Sequence, residues 1–139
     1  MAKSKLNIVK KLSTKVICGD IAPSKILKEG TPLYRIYGVV RGVKTGTTQY
    51  GEFTGFRGDF RALNLETKEQ FAGAVAYLPP VAQDMVLGAY DKTNALQFAF
   101  EIGIKENLKV PMKYEYTCEP LMKPQENDVM RQIEAEINA

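Results

Sequence analysis

The sequence predicts an all-β domain with a single short helix between its third and fourth strands. Residues 33–44 and 53–63 alternate apolar with polar or basic side chains, as half-buried strands do. Residues 95–104 keep their large apolar side chains on one strand face. These side chains are Leu96, Phe98, Phe100, Ile102 and Ile104.

Residues 1–30 are rich in lysine and contain scattered apolar residues, two glycines and a proline. This composition predicts a basic, loosely attached N-terminal arm with a short strand near residues 15–18. The strand over 33–44 follows Pro32, and "TGTTQYG" is typical of a hairpin tip. The strand over 53–63 returns from that tip.

A polar turn, "NLETKE", precedes a third strand over residues 70–77. The run after Pro79 indicates a short helix, because proline is tolerated in a first helical turn. We expect its inward residues to be Val81, Met85 and Leu87. The strand over 95–104 comes next, and a fifth follows over 112–118.

Five strands with a helix between the third and the fourth follow the order of an OB-fold barrel. An open antiparallel α+β sheet built from the same elements is the alternative. The predicted organisation is a basic arm over 1–30, a barrel over 31–122 and an acidic tail over 123–139. Asn127 would cap a short amphipathic helix in that tail.

Composition excludes several classes of site. The 139 residues fit one domain and contain no histidine, which removes Ser-His-Asp and Cys-His nucleophile pairs and imidazole metal sites. No phosphate-binding loop or dinucleotide fingerprint occurs. We therefore expect no enzyme activity, no cofactor and no metal. A rival hypothesis is a metal-dependent nuclease that uses Asp20, Glu52 and Asp59.

The charge is uneven along the chain. Residues 1–28 carry seven lysines against one aspartate, and residues 125–139 carry four acids against one arginine. A basic N-terminal region of this kind favours a polyanionic ligand. Two isolated cysteines, no secretory signal and no long apolar run indicate reduced thiols and a cytoplasmic location.

The first two long strands present the candidate site. Alternation turns Tyr34, Phe56 and Phe60 toward the core, unless a bulge at Gly55 or Gly58 reverses part of the second strand. The opposite, outward face is basic and aromatic. It carries Arg35, Tyr37, Arg41, Phe53, Arg57 and Arg61. The same alternation turns Val39 and Val43 outward.

This outward face suits a ligand that is both anionic and planar. Guanidinium groups attract phosphates, and exposed aromatic rings stack on unpaired bases. Two structural explanations stay open. Tyr37 and Phe53 could pack beneath the N-terminal arm, and Arg57 and Arg61 could pair with Asp59 and Glu52.

The stretches "YGVVRGVKTGTTQYGEFTGFRGDFRALN", "AVAYLPP" and "YEYTCEPLMKP" together resemble small phage-encoded single-stranded-DNA-binding proteins with an OB fold. The resemblance covers roughly residues 30–122. It implies sequence-independent protection of unpaired DNA in phage replication, recombination or repair, in the host cytoplasm. It also implies that the strand contacts the outward residues above, with Lys44 and Tyr50 near the hairpin tip.

In that family an acidic tail often recruits replication or recombination proteins. Here Glu126, Asp128, Glu134 and Glu136 have the same sign, although the tail lacks a terminal aromatic residue. Homo-oligomerisation is expected as well, because one small barrel covers only ~4–16 nucleotides. The alternative function is a protein–protein interaction module, either a phage-particle component or a modulator of a host enzyme.

Overall fold

A computed structural model describes residues 6–90, 96–110 and 113–121 of the chain. It contains six strands, two α-helices and a short 3-10 turn over Pro23–Lys25. The strands and helices, in chain order, are β1 (Leu6–Ile8), α1 (Thr14–Cys18), β2 (Thr31–Thr48), β3 (Gly51–Asn64), β4 (Gln70–Ala76), α2 (Pro80–Ala89), β5 (Leu96–Glu106) and β6 (Tyr114–Pro120).

The strands form one sheet in the order β1-β4-β3-β2-β5-β6. Every ladder is antiparallel except the parallel pair β1–β4. Strands β2, β3 and β4 are consecutive neighbours, and β5 returns to lie beside β2, which is Greek-key order. The predicted all-β class and element order are therefore confirmed. Among the described residues no ladder joins β6 to β4 or β1, so the structure shows an open sheet.

One face of this sheet forms the hydrophobic core. The predicted inward residues of β2 and β3, among them Tyr34, Phe56 and Phe60, are buried there. Phe98, Phe100 and the isoleucines of β5 join them, as their alternation predicts. Removing one large apolar side chain from water stabilises a fold by about 1.5–3 kcal/mol. This shared face therefore fixes which side of each strand is turned outward.

The N-terminal segment, residues 6–30, is packed against the sheet, and the expected loose arm is wrong for these residues. Leu12 and Ile17 are fully buried. The backbone N–H groups of Val9 and Leu12 donate to carbonyls of β4 over 2.8 Å. Residues 15–18 lie in α1 rather than in a strand, and Ser13 caps that helix. Burial of two apolar side chains outweighs the tendency of a lysine-rich stretch to stay solvated.

Helix α2 lies where the proline pair predicts it, but its buried face differs from the expectation. It begins at Pro80, and its buried residues are Ala82 and Val86. Val81, Met85 and Leu87 are exposed, so their inward assignment is wrong. The buried pair is shifted by one residue along the helix, a rotation of about 100°. No helix in the described part of the chain is long and apolar enough to cross a membrane.

The expected acidic tail and its short helix lie outside the described residues. The chain is described up to Leu121, which is buried and donates its N–H to the carbonyl of Ala99 on β5 over 2.8 Å. The chain is therefore hydrogen-bonded to β5 directly after the end of β6.

Candidate nucleic-acid interface

Strands β2 and β3 extend beyond the rest of the sheet as a two-stranded ribbon. Strand β5 pairs with β2 only as far as Val40, and β4 pairs with β3 only from Phe56 onward. Residues 41–55 therefore have each other as their only ladder partners in the described sheet. Tyr50 lies at the tip and is 90% exposed. The outer part of the ribbon thus extends beyond the core.

Two bulges set the direction of the side chains at the base of the ribbon. In β2 the register shifts at Arg41, so that Val40 faces Gly58 while Gly42 faces Arg57. Beyond this shift Val43 packs against the core, and its expected outward direction is wrong. A second shift separates Arg57 from Phe60 against β4. Strand β3 keeps its own alternation through both register shifts, so its odd-numbered side chains remain on the outward face.

An aromatic pair, Phe53 and Tyr77, lies on the outward face at the base of the ribbon. The two rings are 6.0 Å apart between centroids and meet edge to face at 61°. The ring of Phe53 covers Gly46, and the ring of Tyr77 covers Gly55, where a Cβ would come within 2.8 Å of its Cε1. Each ring therefore packs against the backbone of a glycine, in space that the Cβ of any other residue would occupy.

Cationic side chains surround the aromatic pair. Nζ of Lys11 lies 5.6 Å from the centroid of the Tyr77 ring, within the range of a cation–π contact. Lys44 faces Gly55 across the ladder, and Arg57 follows two residues after Gly55 on β3. Lys44 and Arg57 are exposed and form no salt bridge with any residue that the structure describes. Their charges are available to an anionic ligand.

Two of the predicted arginines are instead held by carboxylates. Nε of Arg41 lies 3.2 Å from Oδ2 of Asp59, and both side chains are about half exposed. The carbonyl of Arg41 accepts a hydrogen bond from the hydroxyl of Tyr90 over 3.3 Å. Nε of Arg35 lies 3.2 Å from Oε2 of Glu101, in a less exposed setting. The sequence leaves ion pairing open for Arg57 and Arg61. The structure shows it for Arg35 and Arg41, with Glu101 as an unforeseen partner.

Tyr37 and Arg61 are neighbours on the outward face, since they face each other between β2 and β3. Tyr37 is only 8% exposed, so the expectation that its ring is open to a ligand is wrong. Its neighbour on β5 is Ala99, which is also buried. Arg61 is partly buried. The outward face is therefore inaccessible around Tyr37 and accessible toward the ribbon.

Two residues of this surface were missed by the sequence analysis as members of the site. The sequence places Tyr77 only at the end of the third strand, and Lys11 only in the basic N-terminal arm. The N–H of Tyr77 donates to the carbonyl of Leu12 over 2.7 Å, which brings residue 77 beside the N-terminal segment. No local pattern predicts this contact, because it depends on the parallel pairing of β1 with β4.

The carboxylates proposed for a nuclease do not come together. In residues 6–90, 96–110 and 113–121 no group of three or more His, Cys, Asp or Glu side chains could hold a metal ion. Asp20, Glu52 and Asp59 are all among those residues. Asp59 instead pairs with Arg41. The nuclease hypothesis therefore gains no support from the geometry.

The two cysteines are free and lie away from the aromatic pair, against the core beside Tyr34. Burial, reinforced by Glu66, raises the pKa of Cys18 to about 11. Burial, reinforced by Glu119, likewise raises the pKa of Cys118 to about 11. Both thiols are therefore protonated at neutral pH, which makes them poor nucleophiles.

Comparison with known proteins adds an independent observation. The chain is 37% identical to the single-stranded DNA-binding protein of Enterobacteria phage PRD1 over 134 residues, which is 96% of this chain and 83% of that relative. No protein-family model matches the chain, and no solved structure matches it significantly.

Proposed function

Since the chain belongs to the family of phage single-stranded-DNA-binding proteins, we propose that it binds unpaired DNA during phage replication and does so on its outward face. The main support for this location is the aromatic pair surrounded by Lys11, Lys44 and Arg57. A single DNA strand needs both a flat apolar contact for its bases and cations for its phosphates. This surface offers the two side by side.

The aromatic pair supplies the contact with bases. Unpaired bases stack on aromatic side chains with a free energy of about 1–3 kcal/mol per base, whatever their identity. Bases in a duplex already stack on each other, so such a surface favours unpaired strands. Because Phe53 and Tyr77 rest on glycine backbone, their rings are held in place before DNA arrives. Holding the rings in this way lowers the ordering cost of binding.

The cations supply sequence-independent affinity. Arg57 and Lys44 neutralise phosphates and release counterions, so affinity falls as salt rises, with a slope near −0.7 per phosphate contact on single strands. Arg41, held by Asp59, contributes less. Tyr50 at the exposed tip lies beyond the aromatic pair and extends the contact along the strand. Tyr37 is left out of this surface because it is buried.

The finer features of the family resemblance are part of the same proposal. We propose that the Greek-key sheet is a partly open OB barrel, with α2 following its third strand. The protein acts without catalysis or cofactor in the host cytoplasm. It forms homo-oligomers along DNA, and its acidic tail recruits replication or recombination proteins. The identity to the phage relative over nearly the whole chain supports a DNA-binding rather than a catalytic role.

Fluorescence anisotropy of labelled oligo-dT, at two salt concentrations, tests the binding and its site together. Phe53→Ala and Tyr77→Ala should each weaken binding by roughly five- to 150-fold, the equivalent of about one stacked base. Tyr114→Ala is the matched control, because Tyr114 is an exposed tyrosine on β6. Equal losses in all three variants would reject the site. Absence of binding by the wild type would reject the function and leave the protein–protein module as the better explanation.

A further inference from the structure

A groove of about 520 Å³ runs over β4 on the outward face. Its floor is formed by Ala72, Gly73 and Ala74. Because these residues carry a methyl group or no side chain, the floor lies close to the β4 backbone. The neighbouring strands β1 and β3 carry longer side chains and form the walls. Because neighbouring strands lie about 4.8 Å apart, the backbones of β1 and β3 are roughly 9–10 Å apart. That spacing is too narrow for a duplex, so the groove suits a single nucleic acid strand.

The walls combine apolar surface with positive charge. On the β1 side lie Leu6, Ile8 and Lys10, and Ile8 is 83% exposed although it is a large apolar residue. On the β3 side lie Arg61 and Asp59. The one carboxylate in this lining, Asp59, is neutralised by its pair with Arg41. The exposed Lys10 therefore gives this lining a positive charge that matches a polyanion.

The groove is continuous with the aromatic pair. Lys10 lines the groove, and the next residue, Lys11, lies over the ring of Tyr77. The backbone between them follows β4, since Val9 donates to Ala72 and Leu12 donates to Val75, each over 2.8 Å. The end of the groove thus opens toward Tyr77 on the same face of the sheet.

We propose that this groove is a second contact site for the bound DNA strand, so that the strand passes from the aromatic pair onto the floor of β4. The inference rests on the proposed function and extends it. Ile8 covers one base with apolar surface, while Lys10 holds a flanking phosphate. The N-terminal segment is then part of the binding site, because β1 builds one wall of the groove and Lys11 lies at its end.

A single tryptophan reports whether DNA enters the groove, because the natural chain contains none. Ile8→Trp places the probe on the groove wall, and Leu108→Trp places it at another highly exposed apolar position, in the turn between β5 and β6. Oligo-dT should quench the emission of the Ile8→Trp protein and leave that of the Leu108→Trp protein unchanged. Quenching of neither probe, or of both to the same extent, overturns the inference.

Filling the floor tests the groove in the otherwise natural chain. Ala72→Ile adds a β-branched side chain between Ile8 and Arg61, its neighbours across the two ladders. Ala22→Ile is the control, since Ala22 is exposed and has an extended backbone with φ −66° and ψ 136°. The floor variant should bind an oligo-dT of about 12 nucleotides some ten-fold more weakly, and one of about 4 nucleotides as the control does.

The two oligonucleotides separate the groove from the proposed function. If the wild type binds the longer strand and the Ala72→Ile variant binds it equally well, the groove is rejected while single-strand binding stands. If the wild type binds neither strand, both are rejected. Circular dichroism melting of each variant identifies any loss that is due to unfolding rather than to the filled groove.

Discussion

The ring of Phe53 on β3 lies over Gly46 on β2 and occupies the space where a side chain at position 46 would stand. The two residues face each other across the ribbon, with Tyr77 beside Phe53 at 6.0 Å between ring centroids. This relationship makes the glycine at 46 part of the proposed binding surface, although it has no side chain to touch DNA.

Gly46→Ala should therefore weaken binding without removing any contacting group. A Cβ at position 46 overlaps the Phe53 ring, which is the free end of a side chain and moves aside. We expect a several-fold loss of affinity for oligo-dT, measured by anisotropy, with little loss of stability. Gly88→Ala is the control, since nothing lies within 4 Å of a Cβ there. That change in α2 should raise stability by about 0.5–1 kcal/mol and leave binding unaltered. Undiminished binding by the Gly46→Ala protein would contradict the role of the ring.

Asp59→Asn should strengthen binding. The substitution removes the carboxylate that holds Arg41 at 3.2 Å and frees one more cation beside the strand. Because each phosphate contact adds about 0.7 to the salt slope on single strands, the slope should steepen by up to that amount. Glu119→Gln, an exposed acid on β6, is the control for the change in net charge. Titrations of both variants over a range of salt concentrations measure the difference. Identical slopes would show that Arg41 does not contact the strand.

Thr14→Val should destabilise the protein by about 1–3 kcal/mol, because it leaves the buried hydroxyl of Tyr34 without its partner. Oγ1 of Thr14 lies 2.9 Å from that hydroxyl and joins α1 to β2. Urea unfolding measures the loss, with Thr47→Val on the exposed ribbon as control. Adding Tyr34→Phe to Thr14→Val should recover part of the stability, since it removes the unpaired group. If the first variant were as stable as its control, the Thr14–Tyr34 hydrogen bond would contribute little to the fold.

The thiols should react slowly with disulfide reagents near neutral pH and faster as pH rises toward 11. Burial raises the pKa of both Cys18 and Cys118 to about 11, so the protonated thiol is favoured in the folded state. Stability that depends on this preference is complete below the ordinary thiol pKa of about 8.5 and is lost as pH rises through 11. Rates of thiol modification and urea midpoints at several pH values test both statements. Rapid modification of the folded protein at pH 8 would contradict them.

The sequence predicts the strands well because their alternation is local. Each of the five predicted strands and the helix after Pro79 is present, and Tyr34, Phe56 and Phe60 lie in the core as expected. Alternation fails at Val43, because the bulge at Arg41 inserts an extra residue that no local pattern reveals. A single such residue reverses every side chain beyond it.

The site is predicted only in part, because half of it is assembled by long-range contacts. Phe53 and Arg57 follow from the alternation of β3. Lys44 is expected only from the family resemblance, and the bulge at Arg41 turns it to the same face. Lys11 and Tyr77 meet only because the N-terminal segment runs beside β4. The burial of Tyr37 likewise depends on the neighbouring strands rather than on its own position in β2.

The proton NMR signals of the aromatic rings during titration with oligo-dT test the central claim most directly. If bases stack on the aromatic pair, the ring protons of Phe53 and Tyr77 shift upfield through the ring currents of the bases, while those of Tyr114 on β6 stay in place. Unchanged ring signals from Phe53 and Tyr77 in the saturated complex, with shifts confined to Tyr114 or to no aromatic residue, would contradict the account.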